Sequence, residues 1–138
     1  QKIPSIPDLK KLKEGKNIEY NGKKYKAKDL TYKDKDVKVS FVLDTAYNER
    51  IKPFVKNSDI FICETSFSNE LKERALEYKH MAAAQVGSIS KQAKVKKLYL
   101  THISQRYEKN PEIILNEVKK VFKNSFLAKD LEVVYVND

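Results

Sequence analysis

The sequence has few of the residues on which small secreted or fibrous proteins depend. Its 138 residues include one cysteine, Cys63, three glycines, four prolines and no tryptophan. A single cysteine forms neither an internal disulfide nor a thiolate zinc site, and the low glycine and proline content excludes collagen-like and low-complexity chains. The sequence also has no run of about 18 apolar residues and no signal-peptide pattern. We therefore predict a cytoplasmic protein with no membrane partner.

Motifs of several common enzyme classes are absent as well. The chain has no glycine-rich phosphate loop and no Gly-x-Ser-x-Gly nucleophile elbow, and Cys63 lies in an apolar strand pattern typical of a core residue. Positive charge, in contrast, is abundant: 28 lysines and arginines against 19 acids give a net charge of +9. This excess favours an anionic partner such as nucleic acid, although a lysine-rich solvated surface has the same composition.

The chain changes character near residue 36. Residues 1–36 are polar and lysine-rich, and Asn21-Gly22 between two short apolar stretches predicts a basic surface segment with a β-hairpin. From residue 37 to 138, apolar strand patterns alternate with helical ones, which predicts an α/β domain with helices packed on a mainly parallel sheet. The expected strands are 37–43, 59–63, 97–101 and 131–136, and the expected helices are 51–55, 70–78, 81–93 and one beginning at Pro111.

Polar residues follow three of the predicted strands. Asp44 ends the first, Glu64 the second and His102 the third, and the carboxyl ends of parallel strands meet at one edge of a sheet. His80, at the start of the next long helix, is expected at the same edge. Carboxylates and imidazoles bind zinc, so Asp44 and His102 are candidate ligands. Each residue also has a structural explanation, because the acids suit helix caps and the histidines suit ordinary hydrogen-bonded positions.

Five segments of the sequence occur together in the order and spacing of a known family. They are residues 39–45 (VSFVLDT), 59–67 (DIFICETSF), 79–82 (KHMA), 98–107 (LYLTHISQRY) and 127–131 (LAKDL). Together they resemble ribonuclease Z, the tRNA 3′-processing endonuclease of the metallo-β-lactamase fold. The most specific element is Leu-Thr-His-x-Ser-x-Arg-Tyr, and a basic start at residues 4–15 extends the resemblance over nearly the whole chain.

The resemblance implies a fold and an activity. The fold is the C-terminal half of an αββα sandwich, a mixed sheet with helices packed on it, in which residues 37–138 form the C-terminal α/β lobe and the N-terminal lobe is absent. The activity is hydrolytic removal of the 3′ trailer from precursor tRNA with two zinc ions. In this scheme Asp44 bridges the ions, His102 binds one of them, and His80, held by Glu64, protonates the leaving oxygen.

The resemblance also implies substrate contacts and partners. Arg106 and Asp130 match elements near the substrate, and we expect a third set of contacts to the tRNA backbone from the basic start, at Lys10, Lys11 and Lys13. The family's His-x-His-x-Asp-His motif, which supplies most zinc ligands, does not occur in this chain. The chain is therefore expected to be inactive without an N-terminal half that carries the motif, and complete protomers are expected to form homodimers.

Two motifs depart from the family pattern, and other functions stay open. His-Glu-Ala-Thr is replaced by Cys63-Glu64-Thr65-Ser66, and Gly-His-Ser-Thr by KHMA at residues 79–82, so the hydroxyl residues after His80 are missing. One alternative is another hydrolase of the metallo-β-lactamase fold, either arylsulfatase-like or a phosphodiesterase. The other is a non-catalytic basic module that binds RNA through its surface.

Overall fold

Two compact units make up the chain, residues 1–36 and residues 37–138. A computed structural model of the protein describes residues 6–32 and 36–136. The elements of the first unit are α1 (Ile6–Lys13), β1 (Ile18–Tyr20), β2 (Lys23–Tyr25) and α2 (Ala27–Leu30). β1 and β2 form an antiparallel hairpin, and its turn residues Asn21 and Gly22 both have the positive φ that an Asn-Gly turn adopts.

The second unit alternates strands with helices. Its elements are β3 (Val39–Val42), α3 (Ile51–Phe54), β4 (Ile60–Glu64), α4 (Lys72–Glu77), α5 (Ala83–Gln92), β5 (Lys97–Thr101), α6 (Glu112–Lys119) and β6 (Ser125–Leu127). The four strands form one sheet in the order β3-β4-β5-β6, and all three pairings are parallel. Antiparallel pairing in the described residues is confined to the hairpin of the first unit.

One face of this sheet is covered by helices. Phe61 and Cys63 of β4 and Leu98 and Leu100 of β5 are fully buried in a core that includes residues of α3, α5 and α6. The α5–α6 contact is close at Gly87, where a Cβ would lie 3.0 Å from the Cβ of Val121 and 3.3 Å from the backbone carbonyl oxygen of Val118 in α6. Burial also raises the pKa of the Cys63 thiol, which is typical of a core residue.

The other face carries an apolar row that runs across all four strands. Phe41, Ile62, Tyr99 and Phe126 are in register with one another, and the Tyr99 and Phe126 rings stack with their centroids 5.2 Å apart. Phe41 is 57% exposed and Phe126 40% exposed. We call these four residues, together with Val39, the open face.

The predicted strand at residues 131–136 is wrong. The last strand is β6, and the backbone N–H of Ala128 makes one further bond to the sheet before the chain turns away at Leu131, which has φ 63°. Residues 131–136, all of them described, then lie beside the open face, where a cavity of about 350 Å³ separates part of the segment from the sheet. Their valine-rich alternation suits a strand, but the turn at Leu131 takes them out of the ladder. No helix in the described ranges is long and apolar enough to cross a membrane.

Candidate functional site

Asp44 and His102 both leave their strands in the left-handed backbone conformation. Their φ angles are 52° and 53°; Asp44 is the second residue after β3, and His102 is the first residue after β5. This conformation costs about 1–2 kcal/mol for a residue with a Cβ, so it is seldom adopted without a compensating contact. Although β4 lies between β3 and β5, ligand atoms of Asp44 and His102 come within 4.8 Å of each other.

His80 is positioned by the end of α4. Lys79 follows the helix with φ 61°, its N–H donates to the Leu76 carbonyl at 3.1 Å, and the His80 N–H donates to the Ala75 carbonyl at 2.7 Å. This pair of bonds is a Schellman motif, which fixes the chain direction after a helix. The sequence placed His80 at the start of the following helix, but that helix begins only at Ala83. His80 therefore closes one helix rather than opening the next.

The Glu64 carboxylate joins these segments. It is fully buried and accepts hydrogen bonds from the Thr45 N–H at 3.1 Å, the Ser66 N–H at 3.3 Å and the Ser66 hydroxyl at 3.0 Å. Its Oε1 atom is also 3.2 Å from Nδ1 of His80. A buried carboxylate needs such donors, and a carboxylate partner assigns the proton to Nδ1 and leaves Nε2 as the free nitrogen. Glu64 thus holds the loop after β3 and the His80 ring in one network.

Ser66 extends this network to the third segment. Its hydroxyl lies 2.8 Å from the backbone carbonyl of His102, in addition to its contact with Glu64, and the residue is 3% exposed. In the sequence, Ser66 stands out only as a departure from a motif. The feature that could have indicated its role is its position two residues after Glu64, at the end of a strand, where a small hydroxyl can reach the neighbouring strand.

Asp44, His80 and His102 together form a group of potential metal ligands. Asp44 Oδ1 is 3.7 Å from His80 Nδ1, and the two imidazole rings meet edge to face with centroids 5.1 Å apart. One carboxylate oxygen and two imidazole nitrogens suit a zinc ion that keeps a position open for water. The donor set therefore fits one zinc ion. Within residues 6–32 and 36–136, this is the one group of three such ligands.

The remaining predicted site residues are not members of this group. Arg106 is exposed in a 3-10 turn at Gln105–Tyr107, and Asp130 is exposed in the segment after β6. In the described part of the chain, no hydrogen bond or ion pair joins either of them to Asp44, His80 or His102. The three predicted lysines, Lys10, Lys11 and Lys13, are exposed on α1 in the first unit.

Solved structures define the class of protein to which this fold is similar. The metallo-β-lactamase fold protein YhfI from Bacillus subtilis matches 66% of this chain and 37% of its own, with a TM-score of 0.60 and 28% identity. A long form RNase Z from yeast matches 67% of this chain and 12% of its own, with a TM-score of 0.52 and 29% identity. The human tRNase Z short form, at 21% identity and a TM-score of 0.53, shows the fold alone. The predicted α/β class, as part of a metallo-β-lactamase fold, is confirmed.

Curated sequences point to one kind of protein within that class. Ribonuclease Z of Archaeoglobus fulgidus is 38% identical over 138 residues, covering 96% of this chain and 45% of the relative. Ribonuclease Z of Borrelia duttonii is 36% identical, covering 93% of this chain and 42% of the relative. No family model matches the chain. The resemblance to ribonuclease Z is confirmed, and the chain spans less than half the length of these relatives.

Proposed function

We propose that this chain supplies part of the active site of a zinc-dependent endoribonuclease that removes the 3′ trailer from precursor tRNA. The observation that supports this is the convergence of Asp44, His80 and His102 around the buried Glu64, in a chain 36–38% identical to three ribonuclease Z proteins. Bound zinc would supply Lewis-acid stabilisation of the phosphate and a water of lowered pKa. The chain's own residues would hold the metal and move the proton.

Each residue of the group has a distinct part in this proposal. Asp44 and His102 provide the zinc ligands from the ends of β3 and β5. His80, as the imidazolium with its Nδ1–H directed at Glu64, donates the Nε2 proton to the departing ribose oxygen and is left neutral with its remaining proton on Nδ1. Glu64 stabilises the imidazolium and fixes the orientation of the ring, and its burial protects the contact from water.

A complete site with two zinc ions needs a companion lobe. With His80 as proton donor, this edge contributes two zinc ligands, Asp44 and His102, and we propose that the lobe carrying the His-x-His-x-Asp-His motif brings the others. The open face supports this proposal, since parallel sheets in α/β proteins are normally covered on both faces. Residues 131–136 lie beside part of this face, and Phe41 and Phe126 of its apolar row remain exposed and available to a second sheet.

The contact with the companion lobe can be tested at Phe41. We expect Phe41→Lys to abolish copurification of this chain with the N-terminal lobe of a ribonuclease Z relative, because a lysine would have to be buried between two sheets. Phe54→Lys is the matched control, since Phe54 is 59% exposed at the end of α3 and outside the open face. Equal binding by both variants would contradict this surface assignment.

The catalytic assignment is tested in the assembled protein. We expect Asp44→Ala or His102→Ala to abolish zinc-dependent cleavage of a precursor tRNA and to lower the zinc content measured by atomic absorption. Glu112→Ala, an exposed acid at the start of α6, should change neither quantity. Normal cleavage and normal zinc content in the Asp44 and His102 variants would exclude the proposed site.

A second candidate is another hydrolase of the same fold. The similarity to YhfI supports this second candidate, because the YhfI structure has a higher TM-score with this chain than the yeast or human ribonuclease Z structures. A comparison of precursor tRNA with bis(p-nitrophenyl) phosphate as substrates separates the two candidates. Faster cleavage of the small phosphodiester, with no trailer removal, would favour the second.

The proposal also includes the setting of the enzyme. We place it in the cytoplasm as a homodimer of complete protomers, and we assign substrate contacts to Arg106, Asp130 and the three lysines of α1. These contacts predict weaker precursor-tRNA binding, with a reduced salt dependence, when the three lysines are changed to glutamine. Light scattering of the assembled protein measures the oligomeric state directly.

A further inference from the structure

A groove of about 320 Å³ lies beside the ligand group. Its lining comes from the loop after β3, the segment leading into α4 and the first turns of α5, and includes Tyr47, Asn69, Lys72, Ala82, Gln85 and Ser88. Tyr47 is three residues after Asp44, and Ala82 is two residues after His80, so the chain keeps the groove within about 11 Å of the group. None of the residues that line it is acidic.

The groove contains an exposed aromatic ring and an unpaired cation. Tyr47 is 40% exposed, and its hydroxyl donates to Glu49 at 2.7 Å. That bond raises the pKa of Tyr47, and the phenol is protonated at physiological pH, as in an ordinary tyrosine. Lys72 is exposed and has no ion-pair partner among the residues that the structure describes. Single-stranded RNA sites combine such a ring with such a charge, because bases stack on the ring and phosphates pair with the cation.

The amide side chains of the groove are oriented by the backbone of α5. Asn69 Oδ1 accepts the Ala84 N–H at 2.6 Å, and Gln85 Oε1 accepts the Ala82 N–H at 2.9 Å. With both oxygens occupied, the two NH2 groups are left as hydrogen-bond donors. Ser88 likewise accepts a bond from Gln92 through its oxygen and retains its own proton to donate. The groove thus offers donors and positive charge, which suit phosphate and ribose oxygens.

We propose that this groove binds one nucleotide of the RNA strand beside the scissile phosphate, with its base stacked on Tyr47 and its phosphate held by Lys72. The proposal rests on the proposed function and deepens it, since it names the part of the substrate that this chain recognises. Asn69 and Gln85 donate hydrogen bonds to the bound nucleotide. Because the base is bound by stacking and every base has an aromatic face, the groove accepts any of the four bases.

The test uses the full 138-residue chain and two fluorescent probes of equal charge, an RNA hexanucleotide and its abasic analogue. Tyr47→Ala should weaken binding of the RNA about tenfold, the loss expected for one stacked base, and leave binding of the abasic probe unchanged. Tyr47→Phe should bind the RNA like the wild type. Tyr135→Ala, which removes another exposed tyrosine, is the matched control.

The cation is tested by salt dependence. Lys72→Gln should weaken binding of both probes and reduce the slope of log K against log salt by about 0.7, the value for one phosphate contact on a single strand. Lys91→Gln, at an exposed lysine near the end of α5, should leave the slope unchanged. Circular dichroism should show the same unfolding midpoint for all these surface variants.

Two outcomes overturn the proposal: an unchanged RNA affinity of Tyr47→Ala, or an equal loss for RNA and abasic probe. If the assembled protein cleaves precursor tRNA but the Tyr47 and Lys72 variants bind RNA normally, the groove assignment fails and the proposed function stands. If both variants lose RNA binding as expected but the assembled protein leaves precursor tRNA intact, the groove stands and the proposed function fails.

Discussion

The two ends of the four-stranded sheet both carry charged residues, but the partners of those residues differ. At the amino end, Asp59 accepts the Lys38 N–H at 2.8 Å and pairs with the Lys96 ammonium at 2.6 Å, and the Lys38 ammonium donates to two backbone carbonyls. At the carboxyl end, the Asp44 side chain is 74% exposed, and His102 is exposed beside it. Charged groups that pair with each other stabilise a fold, whereas exposed charged or polar groups on a strained backbone are available to bind a ligand.

Backbone strain follows the same division. Lys94, near the amino end, has φ 55°, but its N–H and that of Val95 bond back into α5 at 3.3 and 3.1 Å and complete a Schellman motif. Its left-handed conformation therefore ends a helix. Asp44 and His102 follow strands and end no helix. At these two residues the left-handed conformation instead accompanies an arrangement in which two potential metal ligands lie within 4.8 Å of each other.

The largest expected difference is in the free energy of unfolding, between replacing the buried Glu64 carboxylate by an amide and replacing the exposed Asp44 carboxylate by an amide. Glu64→Gln should lower the free energy of unfolding by about 2 kcal/mol, because an NH2 group would face donors that now bond to a buried carboxylate. Asp44→Asn should change it by less than about 0.5 kcal/mol, since the side chain is exposed. Urea denaturation measures both values. Equal effects would show that Asp44 is as much a structural residue as Glu64.

The sequence predicts the strand ends better than the contacts between them. The predicted strand 97–101 coincides with β5, and the predicted strand 59–63 is displaced by one residue from β4. Apolar runs bounded by polar residues carry that information locally. Because parallel strands share one edge, the meeting of Asp44, Glu64 and His102 there also follows from the sequence.

The contacts that fix the site depend on folding and are not visible in the sequence pattern. The bridge from Ser66 to the carbonyl of His102 needs β4 and β5 to be adjacent, and the place of His80 depends on where α4 ends. The strand predicted at residues 131–136 failed for a related reason. Its alternation is genuine, but a strand also needs a neighbouring edge, and the turn at Leu131 leads the chain away from the edge at β6.

A smaller effect is expected from relieving strain at each end. Lys94→Gly and Asp44→Gly should each raise the free energy of unfolding by roughly 0.5–1 kcal/mol, because the relief of a left-handed Cβ exceeds the entropy that glycine adds to the unfolded chain. Only Asp44→Gly should also weaken zinc binding by the protein assembled with its companion lobe, as measured by calorimetry. Asp44→Ala is the control that removes the ligand without relieving the strain. A stability gain at Lys94 alone would show that Asp44 is held without strain.

The smallest expected effect concerns the pH dependence of stability at the amino end of the sheet, where Asp59 is paired. The Lys38 N–H, and then the Lys96 ammonium, lower the pKa of Asp59 in the folded protein. The carboxylate therefore stabilises the fold at pH values above its unfolded pKa of about 3.9, and this contribution is lost as the pH falls through the lower folded pKa. Asp59→Asn should lower the midpoint of urea denaturation slightly at neutral pH. The midpoint of this variant should also decrease less than that of the wild type as the pH is lowered.

Because the Lys96 side chain is 71% exposed, added salt should reduce the difference in midpoint between wild type and variant. A difference that stays the same from pH 7 down to about pH 2.5 would mean that Asp59 acts through its shape and hydrogen bonds and not through its charge.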